Sequence, residues 1–253
     1  MMLTTEAYTC RLREWDSEFF AFPIAEITVK KGSISDFSSA LNWCYDNKVE
    51  CVYLLLPASD VATIRHVEES GFRLADIRTT LACSFDPTLP IFGPACRPSV
   101  ICRPHQPGDI PKLMHIASTA HDVTRFYTDT RFPRRKCSRL YSEWIRKSCE
   151  ENFSDIVLVS ESKGEPCGYI TCKLDREKPT GQIGLVGVAE FARGRGVGGS
   201  LVSSALEWFA SNEVESVSVV TQGQNKAALK LYQRFGFDLL SLDLWFHKWF
   251  SGV

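Results

Sequence analysis

Apolar and polar positions along this chain change period several times, and each change marks an element. In "GDIPKLMHIAST" the apolar residues recur at helical spacing, with Ile110, Leu113, Ile116 and Ala117 on one face, Asp109 placed as N-cap and Pro111 in the first turn. A second helical stripe, Leu140, Tyr141, Trp144 and Ile145, runs through "PRRKCSRLYSEWIRKSCE". "DIVLVSES" and "EPCGYITCKL" alternate around Lys163 and Gly164, which predicts an antiparallel hairpin, and "QIGLVGVA" is a nearly all-apolar third strand. The helix "GGSLVSSALEWFASN", the strand "ESVSVVTQ", the helix "NKAALKLYQRFG" and terminal strand structure in "FDLLSLDLWFHKWF" follow. With "VICRP" as a first strand, the order is βααβββαβαβ, a mixed sheet in an α/β (α+β) fold.

Prolines and a glycine concentrate in "DPTLPIFGPACRPS", residues 86 to 99, between two patterned regions. This predicts an N-terminal α/β domain over residues 1–90, a linker over 91–98 and a second domain over 99–253. Residues 49–85 also align without gaps on residues 214–250. Both stretches pattern as strand, helix, Gly-Phe, strand, with Gly71-Phe72 falling on Gly236-Phe237. Chance likeness between two amphipathic units is the competing explanation. If the repeat is real, the first domain is a degenerate copy of the same half-fold, without a glycine loop.

Composition narrows the class. The chain has 253 residues, 44% hydrophobic and 23% charged, enough for a sizeable core. Its 29 lysines and arginines against 30 aspartates and glutamates leave no global field for nucleic acid, so recognition by charge has to be local. No basic stretch leads into an apolar core in "MMLTTEAYTCRLREWDSEFF", and the run around "CVYLLL" is too short to span a bilayer; the expectation is a cytoplasmic protein away from membranes. The ten cysteines lack C-x-x-C spacing, which predicts buried thiols and no metal site.

The strongest chemical signal is "FARGRGVGGSLV", a glycine-rich loop running into an apolar helix, where backbone N–H groups and the helix dipole can hold a phosphate. Gly194, Gly196 and Gly199 spell G-x-G-x-x-G, a dinucleotide loop; Arg193, Gly196 and Gly198 spell Arg-x-x-Gly-x-Gly, a coenzyme A loop. A dinucleotide unit requires an acid at the end of the next strand, and here that strand ends "VVTQGQ". The coenzyme A reading stands.

"VAEFARGRGVGGSLV" followed by "NKAALKLYQRFGF" resembles the GCN5-related N-acetyltransferase (GNAT) superfamily, whose pattern is a splayed strand, Arg/Gln-x-x-Gly-x-Gly/Ala, then Asn-x-x-Ala-x-x-x-Tyr before Gly-Phe. The likeness covers about residues 99 to 250; it departs at Glu190, where proline is common. A narrower likeness lies in "REWDSEFFAFPIAEI", which is similar to the dTDP-fucosamine acetyltransferase type of amino-sugar nucleotide N-acetyltransferases. A buried aromatic cluster of Phe19, Phe20 and Phe22 is the alternative account of that segment.

The resemblance implies acetyl-CoA as co-substrate, with its pyrophosphate on Arg193, Gly194, Arg195, Gly196, Val197, Gly198 and Gly199, and with Asn225 as a further contact. It implies a carbonyl-polarising N–H near Val188 and Tyr232 as the acid that protonates the departing thiolate, a task open to a phenol with an ordinary pKa of about 10. Two helical turns separate Asn225 from Tyr232, so they share a face.

For the base there are His121 and Asp129 in "HDVTRFYTDTRF", or ordered water. Arg125, Tyr127 and Arg131 stand in "TRFYTDTRFPRRK", the mixture of charge and flat rings an anionic nucleotide needs; a solvated surface is the plainer account. The expected acceptor is the amine of a nucleotide-linked deoxyaminosugar. A peptide, polyamine or antibiotic amine is the alternative, as is a silent acyl-CoA-binding module. A homodimer stays open beside a monomer.

Overall fold

A computed structural model of the chain describes residues 2–30, 36–84 and 102–250. In chain order its elements are β1 Met2–Thr4, β2 Tyr8–Leu12, α1 Glu14–Phe20, β3 Ile24–Val29, α2 Ser38–Asp46, β4 Cys51–Pro57, α3 Val61–Glu69, β5 Arg73–Ser84 and β6 Cys102–Pro104. There follow α4 Ile110–Ala120, α5 Arg125–Thr128, α6 Arg134–Glu150, β7 Ile156–Ser162, β8 Glu165–Leu174, β9 Thr180–Val188, α7 Val197–Ser211, β10 Ser216–Gln222, α8 Lys226–Gln233 and β11 Asp238–Trp249. The expected order from "VICRP" onward holds, with the short α5 added where the sequence pattern gave only a connection. The expected linker lies outside the described residues.

By contact the chain groups into two discontinuous units: Met1–Arg78 with Thr124–Lys136 and Ser241–Val253, and Thr79–Val123 with Cys137–Leu240. The contiguous division expected from sequence keeps 124–136 and 241–253 in the second domain; contact assigns both to the first unit. The reason for the second assignment is β-pairing. The last strand, β11, runs antiparallel to β4, with Asp243 opposite Pro57 and Trp249 opposite Cys51.

In the first unit β1, β2 and β3 form an antiparallel ladder, and β3 runs parallel to β4. Alternation along these strands separates two faces. Ala25, Ile27, Val52, Leu54 and Leu56 pack with Ala40 and Cys44 of α2 and Val67 of α3. Tyr53, between Val52 and Leu54, instead joins an aromatic cluster with Phe126 and Phe132. Phe20 of α1 enters the same cluster, 4.8 Å from Phe132 and 5.4 Å from Phe126. The rest of the Trp-Asp-Ser-Glu-Phe-Phe segment is held by local bonds: Asp16 accepts from Arg13 Nε at 2.8 Å, and Ser17 Oγ accepts the Ile24 N–H at 2.9 Å. The segment thus has a complete packing account within its own unit.

In the second unit β10, β9, β8, β7 and β6 lie in that order, β9 parallel to β10 and the others antiparallel. The hairpin between β7 and β8 turns at Lys163 (φ 54°) and Gly164 (φ 81°), both left-handed, the conformation of a type I′ turn. Leu201, Val202, Ala205, Leu206 and Phe209 of α7 cover one face of the sheet, against Cys172, Ile183, Val217 and Val219. Each such side chain contributes about 1.5–3 kcal/mol on burial. Helix α4 packs on β8 and β9. Asp109 stands at its N-cap position but does not cap it; its carboxylate accepts from both Arg103 guanidinium nitrogens, at 2.7 and 3.0 Å, and from the Gln106 N–H.

The internal alignment holds element by element. β4, α3 and β5 begin at Cys51, Val61 and Arg73; β10, α8 and β11 begin at Ser216, Lys226 and Asp238, one constant offset throughout. Asp60 and Asn225 are equivalent N-caps, each accepting an N–H three residues on at 3.1 Å. Gly71 and Gly236 both take φ near +80°, at 80° and 76°, to leave the helix. The position of Tyr232 is taken by Val67 in the first copy.

Candidate active site

The site begins where two parallel strands part. Cross-strand pairing between β9 and β10 runs from Thr180 opposite Ser216 to Ile183 opposite Val219 and stops, although β9 continues to Val188 and β10 to Gln222. An irregularity in β9 marks the parting: the register against β8 shifts between Ile170 and Cys172, and the Leu185 N–H turns to Thr171 Oγ1 at 2.8 Å. Beyond it Ala189 donates to Cys167 O at 2.8 Å, so Ala189–Cys167 is a hydrogen-bonded pair and Val188–Gly168 is not. By antiparallel alternation the Val188 N–H and C=O therefore point away from β8, into the opening.

The glycine loop closes the mouth of this opening. A 3₁₀ turn at Glu190–Ala192 follows β9, so the residue that replaces the common proline simply starts that turn. Gly194 and Gly196 take φ of 72° and 83°, and Gly196 is the N-cap of α7, with no side chain to cap it. The first helical bond is Ser200 N–H to Gly196 O, at 3.0 Å. The N–H groups of Val197, Gly198 and Gly199 thus point out of the helix end without helical acceptors, an anion site by construction. Gly198 has a packing role as well, since a Cβ there would stand 3.3 Å from Leu231 Cδ2 of α8. Arg195 is exposed on the loop. Arg193, expected on the pyrophosphate, instead donates from Nε to Val188 O at 3.2 Å and from Nη2 to Thr119 O at 3.4 Å, tying the end of β9 to the end of α4.

Tyr232 is 4% exposed and belongs to the core cluster that includes Val197 and Leu201, with Val186 and Val188 packed against it. Burial pushes its phenol well up, so it keeps its proton at neutral pH, the state a donor needs. Asn225, expected on coenzyme A, spends its Oδ1 on capping α8.

On the α4 side stands a pair that sequence reasoning found by half. His121 terminates α4, its ring stacked on Tyr141 at 4.4 Å, with Nε2 3.0 Å from the hydroxyl of the buried Tyr169. Tyr169 lies directly across from Gly187, and a Cβ on Gly187 would come within 2.8 Å of the Tyr169 hydroxyl. The glycine is what lets the phenol lie beside the strand end. Burial lowers the His121 pKa to about 4 and raises that of Tyr169, so both are neutral at physiological pH. The one sequence signal for Tyr169 is a lone phenol in a strand of small and aliphatic residues.

The remaining expected residues gather in the first unit. Asp129 Oδ2 accepts from Trp249 Nε1 at 2.7 Å and pairs with His247 Nδ1 at 2.8 Å, while Oδ1 accepts the Arg131 N–H at 3.2 Å. Arg125 Nη1 lies 3.0 Å from His247 Nε2. Arginine only donates, so His247 carries its proton on Nδ1 and gives it to Asp129. Burial lowers the His247 pKa to about 4; the Asp129 carboxyl, despite its burial, is held low by the His247 and Trp249 donors. These bonds leave Asp129 poorly suited to take a proton. Arg125, expected on a phosphate, is packed 4.0 Å over Tyr53, 4.3 Å over Phe126 and 4.2 Å over Trp245, a cation held among three rings. Tyr127 lies under Arg134, and Arg131 is exposed. Among the described residues no three His, Cys, Asp or Glu side chains cluster as metal ligands, and no helix is long and apolar enough to cross a membrane.

The acetyltransferase (GNAT) family model matches residues 119–237, which span the parted strands, the loop and Tyr232. The dTDP-fucosamine acetyltransferase of Escherichia coli O6:H1 is 27% identical over 76% of this chain and 79% of its own. The spore coat polysaccharide biosynthesis protein SpsD of Bacillus subtilis is 22% identical over 80% of this chain and 68% of its own. In fold, a GCN5-related N-acetyltransferase from Sphaerobacter thermophilus matches 96% of this chain and 76% of its own with a TM-score of 0.66 at 18% identity. Parted strands, an open helix N-terminus between them and the family match coincide: residues 119–237 are a GNAT acetyltransferase domain, and the chain is an acetyltransferase that draws its acetyl group from acetyl-CoA.

Proposed function

We propose that the protein transfers an acetyl group to the amine of a nucleotide-linked deoxyaminosugar. The observation that carries the donor half of this reading is the opening between β9 and β10, which exposes the Val188 N–H beside the unclaimed N–H groups of Val197, Gly198 and Gly199. The acceptor half rests on the likeness to the Escherichia coli dTDP-fucosamine acetyltransferase and the Bacillus subtilis spore coat polysaccharide biosynthesis protein.

Acetyl-CoA supplies the acyl group already activated as a thioester. The three helix N–H groups, with Arg195, hold its pyrophosphate. The Val188 N–H stabilises negative charge on the carbonyl oxygen as the amine nitrogen attacks the carbonyl carbon and the C–S bond breaks. Tyr232 gives its phenolic proton to the departing sulfur. The amine proton leaves through water, and the pair of His121 and the buried Tyr169, uncharged on both sides, holds β8 to the end of α4 beside the opening. Asp129, whose oxygens are occupied by donors, positions Trp249 and His247.

The test is product identification: incubation with acetyl-CoA and a dTDP-linked or UDP-linked amino sugar should yield free coenzyme A and the sugar acetamide by mass spectrometry. Coenzyme A release with no acetylated sugar nucleotide overturns the acceptor assignment.

A further inference from the structure

The first unit holds a cavity of about 410 Å³ with Arg73, Arg131, Asp129, His247 and Trp249 among its walls. Its size falls within the range of about 300–1,000 Å³ typical of small-molecule sites. We infer that this cavity binds a nucleoside diphosphate group, with Arg73 and Arg131 on the phosphates and the indole of Trp249 against the base.

The choice of a nucleoside diphosphate as ligand rests on the nucleotide-linked acceptor of the preceding section; the cavity itself is argued from residues of the first unit alone. Arg73 opens β5 and Arg131 follows α5, so two elements distant in sequence bring exposed guanidinium groups to one cavity. Two such planar forks match the charge and oxygen geometry of a diphosphate. Trp249 cannot turn freely, because its Nε1–H is bonded to Asp129 Oδ2 at 2.7 Å; it stands as a fixed flat wall, with Arg131 5.6 Å from its ring centre.

Asp129 is the one carboxylate in the lining and would repel a phosphate if bare. It is not bare. Its oxygens face Trp249, His247 and the Arg131 N–H, and Arg125 stands behind His247 as a half-buried counter-cation. The same bond from the Arg131 N–H fixes the loop that presents the Arg131 side chain. The relay from Arg125 through His247 to Asp129 thus sets the shape of the cavity, while Arg73 and Arg131 remain to meet the ligand.

Calorimetry on the full chain with dTDP, UDP, thymidine and inorganic pyrophosphate tests this. Both nucleoside diphosphates should bind, with thymidine and pyrophosphate each binding more weakly and competing with dTDP. Arg73→Ala and Arg131→Ala should each weaken dTDP about 10-fold or more, while Arg73→Lys keeps part of the affinity. Both side chains are exposed, so the variants should melt like the parent, which checks that they fold. Unchanged dTDP affinity in both variants overturns the inference. So does displacement of dTDP by coenzyme A, which would assign the cavity to the donor's own nucleotide. If nucleotide-linked amino sugars are acetylated but dTDP affinity is unchanged by both substitutions, the cavity assignment fails and the proposed function stands. If no nucleoside diphosphate binds and only other amines are acetylated, both fail.

Discussion

The hydroxyl of Tyr169 lies 3.0 Å from Nε2 of His121 and joins the middle of β8 to the end of α4 beside the opened strand β9. If this pair positions the opened end of β9, Tyr169→Phe should lower kcat about 10-fold and leave acetyl-CoA affinity unchanged. Gly187→Ala should reproduce that loss by a different route. Its new Cβ meets the Tyr169 ring at 2.5 Å and displaces the phenol, at a stability cost of about 1–3 kcal/mol. Steady-state rates and thermal melts of the two variants check this; wild-type kcat in both would make Tyr169 a packing residue.

Tyr232→Phe keeps the ring that packs in the core and removes the proton donor. The expected result is a kcat about 100-fold lower or more with little change in the KM for acetyl-CoA. A further readout separates this from a packing defect: acceptor-independent binding of coenzyme A should be the same in the variant and the parent.

Gly196 holds φ at 83° as the N-cap of α7. Gly196→Glu both forces a side chain into the left-handed region, at about 1–2 kcal/mol, and sets a carboxylate against the pyrophosphate. Acetyl-CoA affinity measured by calorimetry should fall at least 100-fold. Retained affinity would remove the loop from the donor site.

The loop, its helix and the Asn-to-Tyr spacing were legible because each is a local pattern: glycine where φ is positive, an apolar stripe at helical period, a cap three residues before the N–H it binds. The constant offset of the repeat was legible for the same reason. What joins distant segments was not. Nothing in "FDLLSLDLWFHKWF" says that its strand pairs with β4, and without that pairing His247 and Trp249 cannot be placed on Asp129. Arg125 reads in sequence as a phosphate contact, and only the fold brings Tyr53 and Trp245 around it. Tyr169 was passed over as a strand residue because its partner lies in another helix and Gly187 makes its room from the next strand.

His247 stays neutral in the fold down to a pKa of about 4, against 6.5 in the unfolded chain. Between those values the unfolded chain binds a proton that the folded one refuses, so stability is full above about pH 6.5 and falls as the pH drops toward 4. The loss is on the order of 3 kcal/mol. His121, also lowered to about 4, acts in the same direction. Urea unfolding across this window should show the decline, and His247→Gln should make it shallower, leaving the share of His121; a parent whose stability is level across the window contradicts the assignment of a neutral, buried His247.

The central claim is tested most directly by competition. Acetyl-CoA is supplied with a mixture of a dTDP-linked amino sugar, a polyamine and a lysine peptide, and the kcat/KM ratios are read from the acetylated products. The nucleotide-linked sugar should be preferred by at least 100-fold. Efficient acetylation of the polyamine or peptide, with the sugar nucleotide left untouched, would contradict the account.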